Sequence, residues 1–409
     1  MKLALTLLLA LSLSSCRYAQ FLKIQKAMQA ETMKQYAFKR EMPFEYISGF
    51  IVIEATIGDK TGKFILDTGA LTLLDDDFVK NVLFKTLGKQ KHKDVNGNKK
   101  YLKTVKLDKL SISGIDFQGI VATVSDLEIL KILKTNRCID ASGILGVNVM
   151  NKGVWQIDYF NKKITITDSK DSLNLPADKK VISFYATGKG TPQIRVTANG
   201  VYLGEAELDT GNNGDFDMQK KTINNLPFAK TAITKRGLSG GAFGLQEDTT
   251  LITMLPTLTL GENFEIQNTV VSLSSSLSGN PLIGYQFLKN YVVTIDWKYN
   301  EITLIPSNLS LEKPFLTYGF SPIFKDGKLY VASIIEQSSA DKAGLRLNDQ
   351  IIQINGKDYN PITQIDYCDF LQQDLLKKSN TLQLVVKRGD KEIKHELIKT
   401  DMMDILMKN

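Results

Sequence analysis

Two short runs in this 409-residue chain have the residues to do chemistry together: Asp67-Thr68-Gly69-Ala70 and Asp209-Thr210-Gly211-Asn212. Each aspartate ends an alternating apolar strand and is followed by a glycine two positions on, where backbone without a Cβ can approach a carboxylate and offer N–H donors. Two carboxylates held together cannot both ionise freely. Unit charges ~4 Å apart repel by about 4 kcal/mol at an effective dielectric near 20, or roughly 3 pKa units. One proton is then shared, so that the ionised member can take a proton from water while the protonated member hydrogen-bonds a carbonyl oxygen. Hydrolysis of an amide bond needs those two acts.

Three cysteines and two histidines are too few for the rival chemistries. Cys16 ends an N-terminal apolar run, which leaves Cys138, Cys368, His92 and His395. A zinc site is poorly served by that set, and a Ser-His-Asp or Cys-His mechanism would have to use His92 or His395, both expected at the solvated surface. No metal and no cofactor are expected. Asp94-Val95-Asn96-Gly97-Asn98 has its glycine too early for a calcium loop and no glutamate at the twelfth position, so it reads as a hairpin turn. The net charge of 51 − 44 = +7 gathers partly at Lys85, Lys89, Lys91, Lys93, Lys99, Lys100, Lys103, Lys106 and Lys109. Without arginine, and with Tyr101 the one aromatic ring of Phe, Tyr or Trp type among these lysines, this is a solvated face, with attraction to acidic segments or anionic headgroups as the minor reading, and no nucleic-acid partner is expected.

What must position the aspartates is visible as an internal repeat. Residues 50–70 read FIVIEATIGDKTGKFILDTGA and residues 192–212 read PQIRVTANGVYLGEAELDTGN, each a strand, a Gly-containing turn and a second strand running into the aspartate. Downstream, Ile144-Leu145-Gly146 leads to Val154-Trp155-Gln156-Ile157-Asp158, and Leu282-Ile283-Gly284 leads to Val292-Val293-Thr294-Ile295-Asp296. The offsets are 209 − 67 = 142 and 284 − 146 = 138, which implies two homologous lobes.

On these motifs the chain resembles the retropepsin-like aspartic proteases, over roughly residues 43–308. The resemblance implies two tandem β lobes around one cleft, with Asp67 and Asp209 catalytic and Thr68, Gly69, Ala70, Thr210, Gly211, Asn212, Gly146 and Gly284 supporting the two loops. Thr68 and Thr210 would hydrogen-bond across the lobe interface. Asn212 departs from the small residue usual there. The family also places a β-hairpin flap in each lobe: Asn96-Gly97, read as a type I′ turn, would tip the first, and Gly240-Gly241 would lie in the second. An extended substrate would lie between them. Because one chain carries both aspartates, a monomer is expected to suffice. A degenerate, structural second lobe is the alternative.

At the N-terminus, Lys2 precedes an apolar run, residues 3–13, too short to span a bilayer, and Leu13-Ser14-Ser15-Cys16 resembles the lipobox of bacterial lipoproteins. That resemblance implies a signal peptide over 1–15, a lipid on Cys16, and a place in the bacterial cell envelope, facing the periplasm from the outer membrane. An ordinary secretory cleavage site is the alternative. Residues 16–40 read as a tether, either helical and about 36 Å long or paired as a strand with a lobe.

After Pro306 the pattern changes: Thr317-Tyr318-Gly319-Phe320, then Ser338-Ser339-Ala340 to Gly344, Asn348-Asp349 and Asn355-Gly356, resembles a PDZ domain over about 312–400. The resemblance implies a carboxylate-binding loop at Tyr318, Gly319 and Phe320, an exposed strand edge after it, and a groove helix over 366–378, together taking a C-terminal peptide. A module that only packs on the protease is the alternative. The reading is therefore a mainly β chain: leader 1–15, tether 16–40, lobes 41–170 and 171–308, and a PDZ-like β/α domain. Its expected activity is endopeptidase, and its expected partners are a protein or peptide substrate and the membrane. The competing class is a catalytically silent, peptide-binding envelope lipoprotein.

Overall fold

The computed structural model describes residues 18–126, 128–226, 232–307, 315–373 and 375–407. The leader and Cys16 lie outside the described residues. Strands dominate, as the period-2 apolar patterns predict, and the two repeats fold alike. In the first lobe, strand Lys60–Asp67 lies parallel to Gly143–Gly146 with Asp67 opposite Gly146. In the second, Val201–Leu208 lies parallel to Leu282–Ile283 with Leu208 opposite Ile283.

A six-stranded sheet joins the lobes. At its centre the repeated strands pair antiparallel, Val154 opposite Asp296 and Asp158 opposite Val292, which relates the lobes by an approximate two-fold axis. Trp155, Ile157, Val293 and Ile295 on these strands are at most 1% exposed and belong to one core shared by both lobes. Full burial of each aliphatic side chain is worth about 1.5–3 kcal/mol, so the lobes are held together from below while the aspartate loops meet above.

Of the two readings of the tether, the strand paired with a lobe occurs, preceded by a helix that is docked. A helix over residues 18–29 seats Ile24, fully buried, against Leu87 and Val121 of the first lobe. Thr32–Met33 then pairs with Ile115–Gln118, and Lys39–Pro43 forms the edge of the six-stranded sheet beside Lys163–Thr167. Helix and strand both occur, docked on the lobe, because Ile24 and Met42 supply apolar contacts that a free spacer would leave in water. Among the described residues no helix is long and apolar enough to cross a membrane.

The C-terminal module has its own core, with Leu329, Ile351, Leu382 and Leu397 fully buried. Asn348 takes the left-handed conformation its turn requires, φ 67°. The groove helix is shorter than expected, Gln364–Gln372, with a capping box between Thr363 and Asp366; a separate turn of helix follows at Leu375–Lys378. The module also runs past 400: Thr400–Asp401 pairs with Leu316–Thr317, and helix Met402–Met407 packs on Ile233 and Ile252 of the second lobe. Strand Lys328–Ile335 lies antiparallel to strand Ala232–Gly241 of the second lobe's hairpin, with Lys235 opposite Ile335 and Gly237 opposite Ser333. One hydrogen-bonded sheet thus continues from lobe to module.

Neither histidine is freely solvated. His92 is half-buried beside Thr123, and burial together with Lys189 pushes its pKa down to about 4. His395 is 9% exposed in the module. Both sit on strands whose alternation turns them inward, a feature hidden by the lysines around His92 and by the nearness of His395 to the chain end.

Candidate active site

The two Asp-Thr-Gly runs meet face to face. Thr68 and Thr210, 0% and 2% exposed, exchange bonds: the Thr68 N–H donates to Thr210 Oγ1 at 3.1 Å and the Thr210 N–H donates to Thr68 Oγ1 at 3.0 Å. Each hydroxyl then donates onward to the opposite lobe, Thr210 Oγ1 to the Leu66 carbonyl at 2.9 Å and Thr68 Oγ1 to the Leu208 carbonyl. This is the interlobe bonding the resemblance implies. It sets each glycine against the other lobe's carboxylate: a Cβ on Gly69 would lie 2.8 Å from Asp209 Cγ, and one on Gly211 would lie 2.5 Å from Asp67 Cγ. The two carboxylates hydrogen-bond each other.

The pair is not symmetric. Asp67 Oδ1 accepts from the Gly69 and Ala70 N–H groups at 2.7 and 3.0 Å, whereas Asp209 Oδ1 accepts from Gly211 alone at 2.8 Å. Asn212 instead donates its N–H to the Asp209 main-chain carbonyl at 3.2 Å. Its side chain closes its own loop, Nδ2 donating to Asp217 Oδ2 at 2.6 Å and Oδ1 accepting from the Gly214 N–H at 3.0 Å. The unusual residue is thus accommodated without displacing the aspartate. Burial pushes both carboxyls up, but the two backbone donors hold Asp67 back while the Asp67 charge drives Asp209 well above the carboxylate range. Of the coupled pair, Asp209 is thus the carboxyl pushed further up.

Gly146 and Gly284 also stand where expected, packed against the loops: a Cβ at Gly284 would lie 2.5 Å from the Gly214 carbonyl oxygen, and one at Gly146 would collide with the Ala70 carbonyl. The flaps form and touch. In the first, hairpin Phe84–Lys93 with Lys99–Leu107, the tip is not a type I′ turn, because Asn96 does not have positive φ and only Gly97 does, at 87°. The Asp94 carboxylate caps a wider tip instead, its Oδ1 accepting from the Asn96 and Asn98 N–H groups at 3.1 and 2.8 Å. Strands Ala232–Gly241 and Gly244–Leu260 make the second flap, and its Phe243 N–H donates to Asp94 Oδ2 at 3.2 Å. Gly241 faces Asp94 and Asn96, and a Cβ there would lie 2.6 Å from Asp94 Oδ2; Gly240 meets only Leu245 of its own flap.

Sequence reading missed a buried polar chain that supports the first loop. Thr72 donates to Asn148 Oδ1 through both N–H and Oγ1, each at 2.9 Å, and its Oγ1 accepts from the Gly146 N–H at 3.2 Å. Asn148 Nδ2 then donates to Glu31 Oε1 at 2.9 Å, and that oxygen also accepts from the Val121 N–H at 2.8 Å. Lys152 lies 3.3 Å from the other Glu31 oxygen. Burial pushes the Glu31 carboxyl up despite these partners. Its only sequence signal was a glutamate ahead of a short strand. Replacing Glu31 by Leu leaves the Val121 N–H unpaired, strips Asn148 of one acceptor and frees Lys152. We expect about 2–4 kcal/mol of lost stability, read by denaturant unfolding, with Glu31→Gln losing less because it keeps an acceptor.

In the module, Tyr318 is 3% exposed and donates its hydroxyl to the Ser379 carbonyl at 2.6 Å, and Phe320 is likewise buried. Gly319, at φ 89°, sits against Ser338, and its N–H donates to Thr317 Oγ1 at 3.0 Å, so that donor is already engaged. The edge after Phe320 is not free. The Phe324 N–H donates to Asn136 Oδ1 of the first lobe at 2.9 Å. Cys138 and Cys368, which sequence left unassigned, form a disulfide across 230 residues. No cluster of three or more metal-ligating side chains occurs among the described residues.

A family model described as aspartyl protease matches residues 53–149, and one described as PDZ domain matches residues 330–378. Among curated proteins, the Tax1-binding protein 3 homolog of Caenorhabditis elegans is 34% identical over 67 residues, 16% of this chain and 50% of that protein. The chain thus spans half the length of that relative. Among solved structures, basic 7S globulin from soybean aligns with a TM-score of 0.42 and 11% identity, covering 66% of this chain and 95% of its own.

Proposed function

We propose that this chain, which joins an aspartyl-protease domain to a PDZ domain, is an endopeptidase in which Asp67 and Asp209 act as one water-activating pair. The carrying observation is the reciprocal approach of Gly69 to Asp209 and Gly211 to Asp67, which brings two half-buried carboxyls together at the meeting of the lobes, both pushed up. Asp67, held ionised by its backbone donors, takes a proton from water. Asp209 hydrogen-bonds the scissile carbonyl oxygen and protonates it as water adds to the carbon. The proton gained by Asp67 then passes to the departing amine while one hydroxyl of the gem-diol returns its proton to Asp209, so that the C–N bond breaks, a carboxylic acid forms and the pair is restored. Flaps that meet at Asp94 and Phe243 supply the cover under which an extended peptide lies, shielded from bulk water. Incubating residues 17–409 with a diverse peptide mixture, and reading new termini by mass spectrometry, tests this directly; no cleavage at any pH would favour a silent peptide-binding protein.

Activity should be bell-shaped in pH, with both limbs displaced upward because both carboxyls are pushed up. The acid and alkaline limbs are the two titrations of the coupled pair. Asp215, which burial and Asp217 push up to about 7, titrates nearby, so Asp215→Asn is the control and should keep both limbs. A rate rising steadily from pH 5 to 9 would point to a nucleophile.

The reading extends to location. A lipid on Cys16 would hold the chain in the bacterial envelope, on the periplasmic face of the outer membrane. Cys16→Ser should move the protein from the detergent phase to the aqueous phase on partitioning; retention in the detergent phase would refute the anchor.

A further inference from the structure

The groove of the module, between strand Phe320–Lys325 and helix Gln364–Gln372, is already filled by the first lobe. Asn136, near the end of helix Glu128–Arg137, takes the Phe324 N–H on the strand's outer edge at 2.9 Å, where an added peptide strand would place a carbonyl. By alternation Pro322 presents its nitrogen to the same edge, and proline has no N–H to give. On the helix side, Gln364 Nε2 donates to the Lys134 carbonyl at 2.9 Å, and the Tyr367 hydroxyl reaches the Asn136 carbonyl at 3.5 Å. Phe324 and Tyr367 stack at 5.5 Å between these contacts. Cys368 lies on that same helix, and its bond to Cys138, one residue beyond the lobe helix, fixes the arrangement covalently.

We propose that the Cys138–Cys368 bridge is a site of thiol–disulfide exchange that opens the groove to a free-carboxylate peptide. Both cysteines are only half-buried, so a dithiol of the thioredoxin class has access. Its thiolate attacks one sulfur of the bridge, forming a mixed disulfide and releasing the other cysteine. The second thiol of the reductant displaces the remaining cysteine and leaves as a disulfide, with two electrons and two protons ending on Cys138 and Cys368. Among the described residues, the hydrogen bonds that then still join the lobe helix to the module are those of Lys134 and Asn136. The module stays joined to the second flap through the Lys235–Ile335 and Gly237–Ser333 pairings, so opening also frees the sheet that carries that flap from the covalent tie between module and first lobe.

The test uses the full mature chain carrying Asp67→Asn, so that binding is read without cleavage and independently of whether the protein is a protease. Fluorescent decapeptide libraries with free and with amidated C-termini are titrated into the oxidised protein, the same protein reduced by a dithiol, and a Cys138→Ser/Cys368→Ser variant. If fewer than one groove in ten is free in the oxidised form, free-carboxylate peptides should bind at least about tenfold tighter to the reduced and variant forms, with no gain for amidated peptides. Asn136→Ala should add to that gain. Should the variant fail to fold, reduction of the intact protein, followed by near-UV circular dichroism to confirm the fold, gives the same comparison. Equal binding in both redox states overturns the proposal, as does a lower melting temperature on reduction with no peptide binding gained, which would make the bridge a structural staple.

Discussion

Asp209→Asn should lower kcat/KM for peptide cleavage by at least about 1000-fold, the upper part of the range expected for loss of a positioned general acid, while leaving the protein folded. Asn keeps the shape and a hydrogen bond toward Asp67, but its amide cannot hand a proton to the carbonyl oxygen. Asp67→Asn should be as damaging for the opposite reason, since the amide cannot take a proton from water. Stability gives an independent reading. The folded Asp209 carboxyl lies well above its ordinary value of 3.8, so across that window the native state holds a proton that the unfolded chain has lost. Wild-type stability therefore falls as pH rises through the window, and Asp209→Asn should flatten that fall. Turnover within tenfold of wild type in either variant, with unaltered melting, would remove the pair from the mechanism.

Much of this was legible because the chemistry sits on local motifs. Asp67 and Asp209 end strands whose alternation is plain, and the 142- and 138-residue offsets align the two lobes without any structure. The partners supplied by distant segments were not legible. Glu31 meets Asn148 across 117 residues and Cys138 meets Cys368 across 230, and neither pairing leaves a periodic trace in the chain. The tip at Asp94–Asn98 was misread because Asn-Gly favours a two-residue turn only when no neighbouring carboxylate captures the N–H groups, and Asp94 does so. The change of pattern after Pro306 marks the module off, but nothing in the sequence shows that Lys328–Ile335 offers a sheet edge that the second flap takes. For that reason, deletion of the module is expected to impair short-peptide cleavage along with recruitment.

The second large effect belongs to the threonines. In Thr210→Val the shape is kept and the hydroxyl lost. The Leu66 carbonyl then loses the hydroxyl donor at 2.9 Å and the Thr68 N–H its acceptor at 3.1 Å, in a place where the flanking threonines are at most 2% exposed and water has no entry. Each buried group left unpaired costs about 1–3 kcal/mol, so the variant should lose roughly 2–6 kcal/mol from a fold whose total stability is on the order of 5–15 kcal/mol. Urea unfolding should show a clearly lowered midpoint. The damage is not confined to stability: these bonds set Gly211 against the Asp67 carboxyl, so a shift of the Thr210 loop moves one carboxylate relative to the other, and activity of the folded fraction should drop about 100-fold, as for an ångström-scale misplacement of reacting groups. Thr210→Ser retains the hydroxyl and should recover most of both. Thr68→Val should behave like Thr210→Val, since its own hydroxyl serves the Leu208 carbonyl and the Thr210 N–H in the mirror arrangement. If Thr210→Val were to keep wild-type stability and turnover, the lobes would be held by the shared apolar core alone, and the interlobe hydrogen bonds would have no part in bringing the aspartates together.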